Sequence, residues 1–339
     1  MKILSLFNGI SGLHCAFDRA EIEVDTCYYS EIDKYANIVT EKHYPNDIAL
    51  GDVTKWREWD IDWASIDLVG AGFPCQAWSV AGKQQGDKDE RGMLFWTTLD
   101  IIANVIKHNP NAKFLMENVK MKKDFERYIT HHTEKALGYV EKTLINSALV
   151  SAQNRNRYYW TNFKVTQPDD KGILLGDIVE TIVDSKFNLS NEAIDYMSRL
   201  RNGKPRWEYH KNPINGKSAC LTANMYKGVP YGVLLLPNGS ATKENKAYSL
   251  TASYGGAVAW NSCQKKQRTM VPVGESKEEH PNIYNGILYR KLTPLECERL
   301  QNLPDNWTSM LSNTQRYKSI GNGWTIDVIA HILKCAYLQ

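Results

Sequence analysis

The chain has 339 residues, of which 11% are aromatic and 23% charged, and a formal net charge of +3. That length suits two domains, or one large α/β domain with a substantial insertion, and the composition excludes a disordered or low-complexity chain. The small net charge hides an asymmetry: from Arg201 to Arg268 eleven Lys or Arg face only Glu208 and Glu244, a local +9, so the remainder carries −6. A polyanion-binding segment on a neutral or acidic body has this footprint, and a solvated basic face has it too.

The apolar start, Met1 to Phe7, is cut short by Asn8, Gly9 and Ser11, and no later run approaches a membrane span, so a soluble cytoplasmic protein is expected. Seven cysteines, at positions 15, 27, 75, 220, 263, 297 and 335, include no Cys-x-x-Cys pair. The pattern argues against a disulfide framework and against a zinc site, and predicts reduced thiols.

Lys2 to Phe7 reads as a first strand and Asn8-Gly9-Ile10-Ser11-Gly12 as a tight turn into a helix from about Leu13 to Ala20. Glycines after a strand let backbone approach a ligand closely, and the helix start offers unpaired N–H groups. Thr26 to Ser30 reads as a second strand delivering Glu31, an acid placed to accept hydrogen bonds from both hydroxyls of a ribose. A nicotinamide-linked oxidoreductase fits this much equally well. A helix is predicted over 32–43, and Ile48 to Val53 reads as a short strand ending in Asp52. That acid could meet an adenine amino group or simply cap the turn that follows.

Ile66 to Val69 reads as the fourth strand, leading to Gly72-Phe73-Pro74-Cys75-Gln76. A thiol at a strand end beside a ligand crevice is placed for chemistry, although an isolated Cys is commonly an inert buried hydrophobe. The loop from Gln76 to Arg91 is long, polar and interrupted by glycine, the character of a functional lid. A helix is predicted over 92–107, and a fifth strand from Lys113 to Met116 carries Glu117-Asn118-Val119 to the same sheet edge as Cys75. A helix near Phe125 to Leu137 and a segment from Tyr139 to Leu149 follow. In Gln153 to Trp160, strand-like alternation puts Arg155 and Arg157 on one face, reaching the same place.

After about Lys164 glycines, prolines, lysines and Asn-rich turns replace the alternation of strands and helices, marking a domain break. Within this part, Lys217 to Asn224 and Lys246 to Ser253 echo one another, and their Thr222 and Thr251 beside lysines suit a nucleic-acid groove. From Leu288 a helical pattern returns (Leu292, Leu295, Cys297, Leu300, Leu303) and Pro304 ends it, while Ser319 to Gly323 is predicted to open a last helix over 325–337.

These parts fit one reaction. Cytosine C5 is a poor nucleophile until a thiolate adds to C6, and a covalent step of this kind replaces one difficult reaction by two easier ones. Arg155 and Arg157 would favour the thiolate, the carboxyl of Glu117 would supply or share a proton at N3, and a base within a duplex would have to be flipped out.

The chain resembles the DNA (cytosine-5) methyltransferases over roughly its first 160 and last 50 residues. The resemblance rests on ordered motifs: Phe7-x-Gly9-x-x-Gly12, Gly72-Phe73-Pro74-Cys75-Gln76, Arg91-Gly92-Met93-Leu94-Phe95, Glu117-Asn118-Val119, Gln153-x-Arg155-x-Arg157, Arg290 to Gln301 with Thr293, Pro294, Glu296 and Arg299, and Gly321-Asn322-Gly323. It implies an α/β fold: a Rossmann-like, mainly parallel sheet forming a methyltransferase domain (1–163), an inserted small target-recognition domain (164–285) and a C-terminal segment returning to the catalytic domain (286–339). It also implies S-adenosyl-L-methionine as cofactor, without a metal, and double-stranded DNA as partner. Cys75 would be the nucleophile, Glu117 its partner at N3, and Arg155 and Arg157 active-site arginines. Phe7, Asn8, Gly9, Gly12, Glu31, Ile32, Asp52, Val53, Pro74, Leu94 and Asn322 would line the cofactor pocket. Gln76, Ser79, Lys83, Thr222, Thr251, Lys265 and Lys266 would meet DNA.

A bacterial or phage enzyme acting as a monomer is expected, with or without a restriction endonuclease alongside. Two departures stand out: Ser11 where many members have glycine, and Ala152 where proline is common. The family's tRNA-directed branch carries a Cys-Phe-Thr signature absent from this sequence, and the presence of both Cys75 and Glu117 argues against a catalytically silent homologue.

Overall fold

The computed structural model describes residues 1–74, 90–180, 183–187, 200–201, 204–205, 247–248, 270–275, 283–284 and 287–338. Its chain divides into two compact units, one of Met1–Ile145, Asn156–Pro168 and Ile326–Gln339, the other of Asn146–Arg155 and Asp169–Thr325.

In the first unit, β1 (Lys2–Leu6), β2 (Thr26–Ser30), β3 (Ile48–Ala49), β4 (Leu68–Ala71) and β5 (Lys113–Val119) lie side by side in the order β3-β2-β1-β4-β5, each neighbouring pair parallel. The seven-stranded sheet is completed by β8 (Asn156–Thr161), antiparallel to β5, and by β6 (Glu141–Asn146) beyond it. This is the expected α/β class, a mainly parallel Rossmann-like sheet. The central strands β1, β4 and β5 are buried nearly throughout, without alternation, because both faces are covered, whereas the edge strand β3 is exposed. Leu4, Leu6, Val69, Ala71, Phe114 and Met116 pack with Phe95, Leu99, Ile102 and Val105 of α3 (Glu90–His108). On the opposite face α1 (Gly12–Ala20) comes so close that a Cβ at Gly70 would lie 2.7 Å from a methyl of Leu13. The last helix, α7 (Ile326–Tyr337), packs on α1, where Arg19 pairs with Asp327 at 2.7 Å. Between β2 and β3 lies α2 (Lys34–His43), whose N-cap Asp33 accepts from the Tyr35 N–H. The amphipathic α4 (Lys123–Leu137) follows β5.

Strand order reverses between β1 and β4. The carboxyl ends of five parallel strands share one edge, and a crevice opens at such a reversal.

In the second unit, β7 (Gln153–Asn154) pairs in parallel with β11 (Ala247–Tyr248), and β9 (Leu200–Arg201) pairs with β10 (Lys204–Pro205). β12 (Met270–Glu275), β14 (Ile287–Lys291) and β13 (Ile283–Tyr284) form a three-stranded antiparallel sheet. Here two expectations fail. The helical pattern predicted from Leu288 is a strand as far as Lys291, and α5 begins only at Pro294 (Pro294–Leu300). A residue before proline is driven to extended backbone, and Thr293, at ψ 162°, is the N-cap, closed by a reciprocal capping box with Glu296. Gly321-Asn322-Gly323 does not open the last helix but ends another, α6 (Asn313–Asn322). That helix is mostly polar and was illegible as a helix. Burial of Tyr317 and Ile320 holds it, together with a Tyr317 hydroxyl bond to the Leu292 carbonyl at 2.6 Å.

Candidate active site

Among the described residues β1, β2, β3 and β5 each deliver one or two polar side chains to the shared edge, and hydrogen bonds tie neighbouring strand ends together. After β1 the chain turns through three left-handed residues, Phe7 (φ 56°), Gly9 (φ 55°) and Ser11 (φ 62°). Only Gly9 adopts this region freely, and a bulky residue held there marks stored strain of the sort found at ligand sites. Ser11 compensates through its side chain, which donates to Thr40 Oγ1 at 2.8 Å and accepts from Asn8 Nδ2 at 3.3 Å. Asn8 is buried at 7% exposure, yet its Oδ1 has no hydrogen-bond partner. Turning the amide over would only leave Nδ2 in its place, so one polar atom is stranded either way. No side chain caps the start of α1 immediately after this turn.

Glu31, after β2, accepts from the Gly9 N–H at 2.8 Å through one oxygen and from the Ile32 and Asp33 N–H groups, each at 2.8 Å, through the other. It fastens the β1 turn to the β2 end. A carboxylate has about four acceptor sites, so about one is left for a ligand hydroxyl. Ile32 beside it is 78% exposed, an apolar side chain turned to solvent at the edge of the crevice. The Ser30 hydroxyl donates to the Gly51 carbonyl at 2.6 Å, joining the β2 end to the chain after β3. Asp52 is the N-cap of the 3₁₀ turn Val53–Glu58, accepting from the N–H and hydroxyl of Thr54, and these bonds hold its carboxyl below the usual range. Val53 is buried in the core, with Leu94 of α3 packed against the same cluster.

β4 leads to Phe73 and Pro74. The neighbouring β5 end holds this segment: buried Asn118 donates from Nδ2 to the Phe73 carbonyl at 3.1 Å and accepts from the Val119 N–H. Its neighbour Glu117, 8% exposed, pairs with Arg157 Nε at 2.8 Å. Antiparallel register brings Arg157 of β8 opposite Val119.

Arg155 and Arg157 are both buried, as alternation predicts, but they take different partners. Arg155 falls in the second unit, where its guanidinium donates to the Gly323 carbonyl at 2.9 Å and its N–H to Asn146 Oδ1. The buried Gln153 amide donates to the Leu300 carbonyl and to Gln301 Oε1, while the Gln301 amide donates to the carbonyls of Ile320 and Gly323. Three motifs far apart in the chain thus meet in one buried network. Asn322 ends α6 in an exposed position. Sequence reasoning assigned no role to Asn118, Gln153 or Gln301. Buried amides at motif positions are a signal for such roles, since each must find partners.

Cys75, Gln76, Ser79, Lys83, Thr222, Thr251, Lys265 and Lys266 lie outside the described residues. Among the described residues no helix is long and apolar enough to cross a membrane.

Residues 1–336 match the C-5 cytosine-specific DNA methylase family. The chain belongs to that family. As a DNA (cytosine-5) methyltransferase it has close company among type II enzymes: it is 31% identical to type II methyltransferase M1.ScrFI of Lactococcus lactis subsp. cremoris, over 97% of this chain and 76% of that one. It is 29% identical to M.HpaII of Haemophilus parainfluenzae, over 96% and 86% respectively. Among solved structures, a DNMT2 mutant of Spodoptera frugiperda superposes with a TM-score of 0.63 over 99% of both chains at 21% identity, a likeness of fold. Enzymes of this family are S-adenosyl-L-methionine-dependent and act on DNA.

Proposed function

We propose that this methyltransferase modifies C5 of a cytosine flipped out of a specific duplex sequence, through a covalent bond between Cys75 and C6. The supporting observation is at the ends of β4 and β5. Asn118 holds the backbone at Phe73, two residues before the thiol, while its neighbour Glu117 is oriented by Arg157. A thiolate and a carboxyl from adjacent strand ends can then address C6 and N3 of one ring.

The residues at the crevice beside β1 and β2 fit the cofactor. The stranded polar atom of Asn8 and the uncapped start of α1 suit the charged amino-acid end. Glu31 keeps an acceptor site for a ribose hydroxyl, and Phe7, Ile32 and Val53 supply apolar contact for the adenine, with Asp52 at its amino group. Pro74 and Leu94 would complete the pocket on the side of β4 and α3. When bound, S-adenosyl-L-methionine supplies an electrophilic methyl group on a sulfonium. Cys75 adds to C6 and makes C5 nucleophilic, Glu117 holds or delivers the proton at N3, and loss of the C5 proton after methylation expels the thiolate, restoring the enzyme. Gln76, Ser79 and Lys83 would close on DNA, and Thr222, Thr251, Lys265 and Lys266 would belong to the recognition surface. Functionally, residues 1–163 and 286–339 serve catalysis and 164–285 serve target recognition.

Cys75→Ser is expected to abolish methyl transfer and retain cofactor binding. A duplex carrying 5-fluorocytosine is expected to trap a covalent complex with the wild-type chain and none with the variant. Full activity in Cys75→Ser would overturn the nucleophile assignment. Bisulfite sequencing of DNA from cells expressing the chain would give the target sequence.

A further inference from the structure

We propose that His14, Cys27 and Asp47 form a binding site for one divalent cation of the zinc class, clamping α1, β2 and the turn before β3 together. Three elements distant in sequence bring their donor atoms within 4.8 Å of one another. His14 lies in the first turn of α1, Cys27 in β2, and Asp47 immediately before β3, whose Ile48 is in register with Tyr28 next to Cys27. The donors are held in place. The His14 ring stacks on Tyr44 with centroids 3.8 Å apart, its Nδ1 lies 3.0 Å from Asp47 Oδ2, and the Asp47 N–H donates to the Tyr44 carbonyl. A nitrogen, a thiolate and a carboxylate form a donor set that suits zinc, and three protein ligands leave the fourth tetrahedral position to solvent.

Charge supports the assignment. The Asp47 side chain is only 5% exposed and faces His14 Nδ1, so a cation bound between these two groups and Cys27 would face a carboxylate shielded from water. A neutral imidazole, a thiolate, a carboxylate and a divalent ion sum to zero. Cys27 is buried and would bind the ion as a thiolate, so metal binding near neutral pH releases its proton. The ion would brace elements whose ends carry the Gly9 turn, Glu31 and Asp52, without entering the methyl-transfer chemistry. Sequence spacing hid the site, because its ligands share no local motif.

The test uses the full chain stripped with chelator and titrated with zinc and with cobalt. Expected are one tight site, about one proton released per ion by calorimetry in buffers of different ionisation heat, and a thiolate-to-cobalt charge-transfer band. Zinc at about 100 times Kd should raise Tm by roughly 4 °C. Cys27→Ser should lose the band and at least about tenfold in affinity, whereas Cys15→Ser and Cys75→Ser should keep both. Should Cys27→Ser fail to fold, Asp47→Asn, equal in size, is expected to lose the same affinity with an unchanged circular dichroism spectrum. Absence of the cobalt band, or a band that survives in Cys27→Ser or an affinity unaltered in folded Asp47→Asn, would overturn the site.

Discussion

At the scale of single residues, several side chains carry two duties, and substitution can separate them. Asp52 caps the 3₁₀ turn through Thr54 and is also the proposed partner of the adenine amino group. Asp52→Ala removes both, and the lost cap costs about 1 kcal/mol. Asp52→Asn keeps a good cap, so its Tm should stay near wild type at pH 7. If the carboxylate meets the adenine, the alanine variant also raises the cofactor Kd several-fold; a lower Tm with unchanged Kd would leave Asp52 a cap alone. The pH dependence has a definite sign. The folded carboxyl titrates below its ordinary value, so its contribution is complete above about pH 4, the unfolded range, and fades as pH falls through the lower folded value. Glu117 and Arg157 form a buried ion pair at 2.8 Å whose coupling substitution can test. Arg157→Ala removes the cation that faces the buried Glu117 carboxylate and should cost up to about 3–5 kcal/mol of stability, read from denaturant unfolding. Adding Glu117→Gln should return much of that stability while activity stays low. Additive losses would mean that the two side chains are not coupled.

At the scale of elements, the strand ends were legible because a buried parallel strand is an apolar run and the polar residue that stops it is conspicuous. Glu31, Asp52 and Glu117 were found in that way. The stretch from Leu288 to Lys291 reads as helix because Leu288 stands four and seven residues before Leu292 and Leu295, and only Pro294 betrays where the helix starts. α6 was missed because its sequence is polar and its stability comes from burial of Tyr317 and Ile320. The alternation of Arg155 and Arg157 was readable, but their separate partners were not, since Gly323 and Glu117 lie far along the chain in opposite directions. Gln301 shows what such long-range partners are worth. Its amide fills four bonds, with Gln153, Thr325, Ile320 and Gly323, in a site without exposure. Gln301→Ala strands several of these groups and should destabilise the second unit by about 2–4 kcal/mol. Hydrogen exchange would reveal the loss as faster exchange in α5 and α6, with β1 to β5 little changed. Equal acceleration in both units would refute that confinement.

At the scale of the whole molecule, the charge is distributed for a polyanion: +9 between Arg201 and Arg268, against −6 over the remainder. Coulomb attraction to DNA is dominated by release of condensed counterions, which makes affinity fall linearly with salt on logarithmic axes, with a slope of about −0.9 per phosphate neutralised. A basic segment that contacts the backbone should therefore leave a measurable trace of each lysine it uses. Lys265 and Lys266 are adjacent, and if each neutralises one phosphate, replacing both by alanine should reduce the magnitude of the slope by nearly 2. The affinity loss should be of similar size on cognate and unrelated duplexes, because phosphate contacts position a protein without reading sequence. Fluorescence anisotropy across a salt series measures both quantities. An unchanged slope would remove the two lysines from the contact surface. A loss confined to the cognate duplex would instead assign them to base edges in the major groove, where each contact discriminates by about 1–3 kcal/mol.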